Sequence, residues 1–132
     1  MTNYIKNAEW DILTLEIGSD MYWYKTKEFK KRVEYMIKDV FDKNSDKKIF
    51  VITPFPNING FGKDKDLYDK NIEYTKILKD TVEAIASENL NLIYGDSILN
   101  SNSYLSYDLL YPSEYGHIRM SENFYNILKE KI

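Results

Sequence analysis

Asp11-Ile12-Leu13-Thr14-Leu15-Glu16-Ile17, closed by Gly18, is an apolar run too short for a helix and stopped where the chain can bend. Two further runs share its character. Lys48-Ile49-Phe50-Val51-Ile52-Thr53 is rich in β-branched residues and stops at Pro54, and Asn91-Leu92-Ile93-Tyr94 stops at Gly95. Short apolar runs bounded by Gly or Pro are what strands covered on both faces look like. Between them the period changes. Phe29, Val33, Met36, Ile37, Val40 and Phe41 recur at helical spacing, and so do Leu67, Asn71, Ile72, Thr75, Leu78, Val82 and Ile85. Met120, Phe124, Ile127, Leu128 and Ile132 predict a last helix, with Ser121 as its N-cap. Asn57 to Asp66 reads as a long loop. Strands alternating with helices at this spacing imply an α/β fold on a parallel sheet.

The 132 residues suit one domain, and a hydrophobic fraction of 43% is ample for a packed core. A net charge of −3 lacks the basic face that nucleic acid requires. The absence of cysteine excludes disulfides, thiolate zinc sites and thiol catalysis, and a single His excludes a His-rich metal site. No stretch approaches the ~20 apolar residues of a membrane helix, and the first ten residues hold no run of secretory type. A soluble, cytoplasmic chain is the expectation. Lys25, Lys27, Lys30 and Lys31 alternate with Glu28 and Glu34, as on a solvated helix face. The charges of Lys63, Asp64, Lys65, Asp66, Asp69 and Lys70 lack the order of a calcium loop.

In open α/β sheets chemistry gathers beyond the carboxyl ends of the strands. Three loops qualify here: Gly18-Ser19-Asp20-Met21, Thr53-Pro54-Phe55-Pro56, and Gly95 to Pro112. The last of them leads into Asp108-Leu109-Leu110-Tyr111-Pro112-Ser113-Glu114-Tyr115-Gly116-His117. That stretch resembles the last sequence block of the SGNH (GDSL-type) esterases and acyltransferases, where an Asp-x-x-His-Pro segment supplies two members of a catalytic triad. Gly116-His117, with Arg119-Met120-Ser121-Glu122 beyond, is also similar to that family's entry into its final helix.

The resemblance implies that Asp108 orients a His base and stabilises the imidazolium. Here Tyr111 stands at the His position, and a phenol with a pKa of about 10 is mostly protonated at neutral pH. His117, nine residues beyond Asp108 and six beyond Tyr111, is the alternative base; it also reads as a His packed locally at a helix start. Leu15-Glu16-Ile17-Gly18-Ser19-Asp20-Met21 resembles the family block whose Gly and Asn face the oxyanion. Asp20 occupies the Asn position, and an ionised carboxylate cannot donate to a developing negative charge. The same turn also reads as a plain strand-to-helix bend. Nothing before Asp11 resembles the family's Gly-Asp-Ser nucleophile block. Tyr94-Gly95-Asp96-Ser97-Ile98 spells Gly-Asp-Ser-Ile at a different strand end, which makes Ser97, and after it Ser19, the candidate nucleophile. Tyr22, Trp23 and Tyr24 either line a substrate cleft or pack at the sheet edge.

By resemblance, then, the chain is the C-terminal two-thirds of a flavodoxin-like three-layer α/β/α SGNH domain, shortened at its N-terminus to about three strands. The expected function is that of an esterase or acylhydrolase relative, catalytically incomplete as this chain. The resemblance implies no metal and no organic cofactor. The alternatives are an active hydrolase or acyltransferase with a rearranged Ser-His-Asp set acting on a small ester or acyl substrate, and a non-enzymatic α/β dimerisation or binding module. The family's strand order 2-1-3-4-5, with two strands lost, would leave Asp11 to Ile17 as an open edge. A homodimer covering it is expected.

Overall fold

Three parallel strands, β1 (Ile12–Glu16), β2 (Lys48–Ile52) and β3 (Leu90–Ile93), lie side by side in the order β1-β2-β3. Ile12 pairs with Lys48 and Glu16 with Ile52, while Ile49 pairs with Leu90 and Ile52 with Ile93. This is a computed structural model, and it describes residues 2–62 and 64–132. Met1 lies outside the described residues, and so does Lys63 of the mixed-charge run. Among the described residues five α-helices accompany the sheet: α1 (Thr2–Asn7), α2 (Thr26–Lys43), α3 (Lys65–Ile85), α4 (Gly95–Ile98) and α5 (Glu114–Lys131).

Alternation along β2 sends successive side chains to opposite faces. Ile49 and Val51 join Phe29, Val33, Ile37 and Val40 of α2 and Tyr74, Ile77, Leu78 and Val82 of α3 in the larger core. Phe50 and Ile52 join Ile93 and Ile98 on the other face, under Met120, Phe124, Ile127 and Leu128 of α5. The result is the expected α/β/α layering. Phe29 and Tyr74 stack with ring centroids 3.6 Å apart, joining α2 to α3 at the centre of the larger core.

β2 is covered on both faces, as its composition predicts, but β1 is not. Leu13 and Leu15 are half-buried toward the larger core, whereas Ile12, Thr14 and Glu16 are exposed. The residues of α5 pack on β2 and β3, so among the described residues no helix covers the outer face of β1.

Two further expectations are corrected. The last helix begins at Glu114, capped by Ser113, whose Oγ accepts from Gly116 N–H at 3.0 Å. Ser121 sits inside α5 and its hydroxyl donates to His117 O, a bond that a mid-helix Ser can make. The segment 57–66 is only partly loop. It holds a 3-10 turn at Ile58–Phe61, and α3 starts at Lys65 with Asp64 accepting from the Asp66 and Leu67 N–H groups. Helix α1 has no periodic signal because it is six residues long. It is held by tertiary contacts: Lys6 pairs with Asp39 at 2.8 Å, and Asn44 Nδ2 donates to Lys6 O.

Candidate active site

The turn after β1 is fixed by its glycine. Gly18 has φ of 122°, and a Cβ there would lie 2.7 Å from Pro54 Cγ. Only glycine lets this turn close onto the exit of β2. Ser19 then folds back on the strand. Its N–H and its hydroxyl both donate to Glu16 Oε1, at 3.2 and 2.8 Å, and Ser19 Oγ accepts from Phe55 N–H. Glu16 is exposed as a residue, but its carboxyl folds against the turn, and the desolvation there pushes it above its ordinary value against the downward pull of those two bonds. Asp20 is exposed beside them. Among the described residues the Tyr22 hydroxyl is buried with no well-formed hydrogen bond, and burial pushes its pKa up against the weaker downward pull of the nearby Asn57 side chain. Tyr22 stacks on Tyr74, which is packing, whereas Trp23 stands 71% exposed.

The Gly-Asp-Ser-Ile match forms α4, a single turn that docks on backbone. Gly95 N–H donates to Thr53 Oγ1 at 2.9 Å, and a Cβ on Gly95 would lie 2.5 Å from Pro54 O. Close approach of two chain segments therefore explains this glycine. Ser97 is exposed and lines a shallow groove with Tyr94, Ile127 and Lys131.

The Asp108 block is a self-braced loop. Leu105 and Pro112 form an antiparallel bridge, and Ser106 N–H donates to Tyr111 O. Asp108 Oδ1 accepts from the Ser106 hydroxyl at 2.6 Å and from Leu110 N–H at 3.0 Å. The Ser106 bond first, then the Leu110 bond, hold the Asp108 carboxyl below the usual carboxylate range. Leu109 sits in the left-handed region at φ 58°, and its carbonyl accepts from Ile58 N–H, tying this loop to the turn after β2. Tyr111 is 61% exposed. Pro112 and Ser113 then launch α5, and Gly116 passes so close to Tyr104 that an added Cβ would overlap Tyr104 O.

His117 is exposed near the start of α5. Among the described residues no hydrogen bond joins Asp108, His117, Ser97 and Ser19 to one another. Ser97 shares its groove with Ile127 and Lys131, ten and fourteen residues past His117. Ten helical residues span roughly 15 Å, so Ser97 and His117 sit toward opposite ends of α5. A nucleophile and its base need hydrogen-bond reach.

The loop Thr53-Pro54-Phe55-Pro56 borders a cleft of about 330 Å³ lined by Thr53, Pro54, Asn57, Asn71, Thr75 and Asp96. Of these polar residues, Asn71 and Thr75 read from sequence as part of a core stripe. Their place on the α3 spiral facing the strand ends is a tertiary fact.

A three-stranded parallel sheet between two helical layers, with these loops at its carboxyl end, is a small α/β/α sandwich. No protein-family model matches the sequence, and no curated protein does either. Solved structures do. A GDSL-like lipase from Bacteroides ovatus overlays 98% of this chain with a TM-score of 0.80 at 17% identity. The salicylyl-acyltransferase SsfX3 of a tetracycline biosynthetic pathway overlays 98% at 0.80 and 13% identity. A carbohydrate esterase of family 3 from Talaromyces cellulolyticus overlays 98% at 0.68 and 13% identity. The chain spans 38% and 40% of the first two and 62% of the third.

Proposed function

We propose that this chain is an SGNH esterase or acyltransferase relative that, by itself, is catalytically incomplete. The observation that carries the reading is the Asp108 loop. Its brace through Ser106, Leu110 and the Leu105–Pro112 bridge is intact, yet a solvent-exposed tyrosine occupies the position the resemblance gives to the base. Without that His, a serine esterase keeps only what binding and oxyanion contacts supply. The oxyanion turn is altered as well, since Asp20 presents a carboxylate where a donor is needed. On this reading Gly18, Ser19 and Asp20 shape the acyl side of a small-ester site, and Asp108 retains a positioning role. A domain lacking the N-terminal nucleophile block is part of the same proposal.

The rearranged alternative, in which Ser97 or Ser19 attacks and His117 accepts the proton, lacks support from geometry. The Ser19 hydroxyl donates its hydrogen bond to Glu16, and Ser97 lies against the later turns of α5 while His117 stands near its start. A fluorophosphonate probe separates the two readings. With the folded chain, intact mass should stay unchanged. A stoichiometric adduct mapped to Ser97 or Ser19 and abolished by His117→Ala overturns the proposal.

A further inference from the structure

The cleft at the exit of β2 carries a second reading, independent of catalysis. Two of its polar side chains are deeply buried: Thr53 is 3% exposed and Asn57 is 8% exposed. Thr53 Oγ1 accepts from Gly95 N–H, and Asn57 Oδ1 accepts from Asn59 N–H, both at 2.9 Å. Their own donors are unspent. Among the described residues the Thr53 hydroxyl hydrogen finds no acceptor, and the Asn57 amide hydrogens make no well-formed bond. Buried donors need partners, and here the open cleft is where one can enter. A further cleft of about 330 Å³ shares Pro56 and Asp96 with the first and continues along Asn100, Ser101 and Asn102, so the two adjoin. Each lies at the lower end of the range of about 300–1,000 Å³ that ligand sites occupy.

The groups along this groove select a class of ligand. Amides stand in both parts, Asn57 and Asn71 in one and Asn100 and Asn102 in the other, with the Asp96 carboxylate where the two meet. Amides and hydroxyls both donate and accept, whereas a carboxylate only accepts and has two oxygens to do so. Among the described residues Asp96 is the one charged group on either cleft, so an anionic ligand would meet a like charge with no cation to offset it. Nor does any group of three or more acidic or imidazole side chains among the described residues gather to hold a metal ion. Tyr94, 41% exposed, and Ile72 add apolar surface beside the polar groups. A sugar ring matches this set, with hydroxyls that donate and accept around its rim and C–H groups on its faces. We propose that the groove binds a neutral saccharide chain of two or more rings. Adjacent hydroxyls of one ring donate to Asp96, hydroxyl oxygens accept from Thr53 and Asn57, and a ring face lies on Tyr94. Pro54 and Pro56 fix the backbone of one wall, and the Gly95–Thr53 bond ties it to the next. A groove built this way needs little ordering when it binds.

Backbone-amide NMR titration of the full chain tests this, because it reads binding whether or not any ester is cleaved. The probes are cellohexaose, xylohexaose and mannohexaose, their three monosaccharides, and inorganic phosphate. At least one hexasaccharide should give saturable shifts at Thr53, Asn57, Asn71 and Asp96 that extend to Asn102, and should bind more tightly than its monosaccharide. Asp96 is exposed, so Asp96→Ala leaves the fold intact, which unchanged signals outside the groove verify. That variant should bind the same hexasaccharide on the order of tenfold more weakly, as loss of hydrogen bonds to a charged group predicts. Asn71→Ala and Asn102→Ala, one in each part of the groove, should each weaken it as well. No saturable shift from any of the three hexasaccharides overturns the proposal. So does a saturable response of these amides to phosphate, or hexasaccharide binding that Asp96→Ala leaves unchanged.

Discussion

The Ser106 hydroxyl lies 2.6 Å from Asp108 Oδ1, so the carboxylate that the family resemblance assigns to a base is engaged by its own loop. The bond is charge-assisted and short. Its first consequence is electrostatic. The folded loop holds the Asp108 pKa below its unfolded value, so the contribution is present above the unfolded pKa and is lost as pH falls through the folded one. Carboxyl NMR titration should find Asp108 low in the wild type. In Ser106→Ala it should rise toward the ordinary range, because the bond that lowers it most is gone. An unchanged value contradicts the assignment.

Tyr74 makes the equivalent tie on the other side of the sheet end. Its hydroxyl donates toward Met21 O at 3.1 Å and Tyr24 O at 2.8 Å, pinning the loop after β1 to α3. Tyr74→Phe keeps the ring stack with Phe29 and leaves Met21 O its bond from Tyr24 N–H, but takes the hydroxyl donor from Tyr24 O, at a cost of about 1–3 kcal/mol. Denaturant melts should register that loss without a change in slope. The direction with pH is also set. Burial raises the Tyr74 pKa, so its contribution is complete below the unfolded phenol pKa and is lost as pH rises through the folded one. Tyr74→Phe should flatten that alkaline decline.

Much of this architecture is legible in the sequence alone. The strand runs at Leu13, Phe50 and Leu92, and the stripe through Phe29, Val33 and Ile37, carry their period in the residues themselves, and the sheet forms where they say. The Asp108 stretch is legible by resemblance, because Asp108 and Pro112 stand in it, whereas Ser106, which braces it, lies two residues before Asp108 and gives no signal of that role. What sequence does not reveal depends on partners far along the chain. α1 is too short to have a period and rests on Asp39 and Asn44. The open outer face of β1 follows from where α5 lies. Gly95 belongs to a motif by its letters, but its reason is the Thr53 and Pro54 backbone beneath it.

Gly116 offers a sharper packing test than any apolar core residue. Its Cβ position is already filled by Tyr104 O. Gly116→Ala must push α5 away from the 3-10 turn at Asn102–Tyr104 or distort the Ser113 cap, and overpacking of this kind costs about 1–3 kcal/mol. Thermal denaturation should show the loss. A variant as stable as wild type means that the turn and helix are not rigidly joined.

Tyr111→His asks whether the loop can still hold a base. The substituted imidazole would stand three residues after Asp108, on a loop whose backbone is already braced. A neighbouring carboxylate favours the charged imidazolium. By NMR, the introduced imidazole should therefore titrate higher in Tyr111→His than in Tyr111→His combined with Asp108→Asn, with His117 as an internal reference in the same spectra. Esterase activity should stay at background in both, because neither Ser97 nor Ser19 is hydrogen-bonded to this loop among the described residues. Equal titrations with and without Asp108 would mean that the carboxylate no longer addresses this position. Hydrolysis gained by the single substitution would mean that a competent serine already lies within reach of residue 111, contrary to the geometry of α4 and the β1 turn.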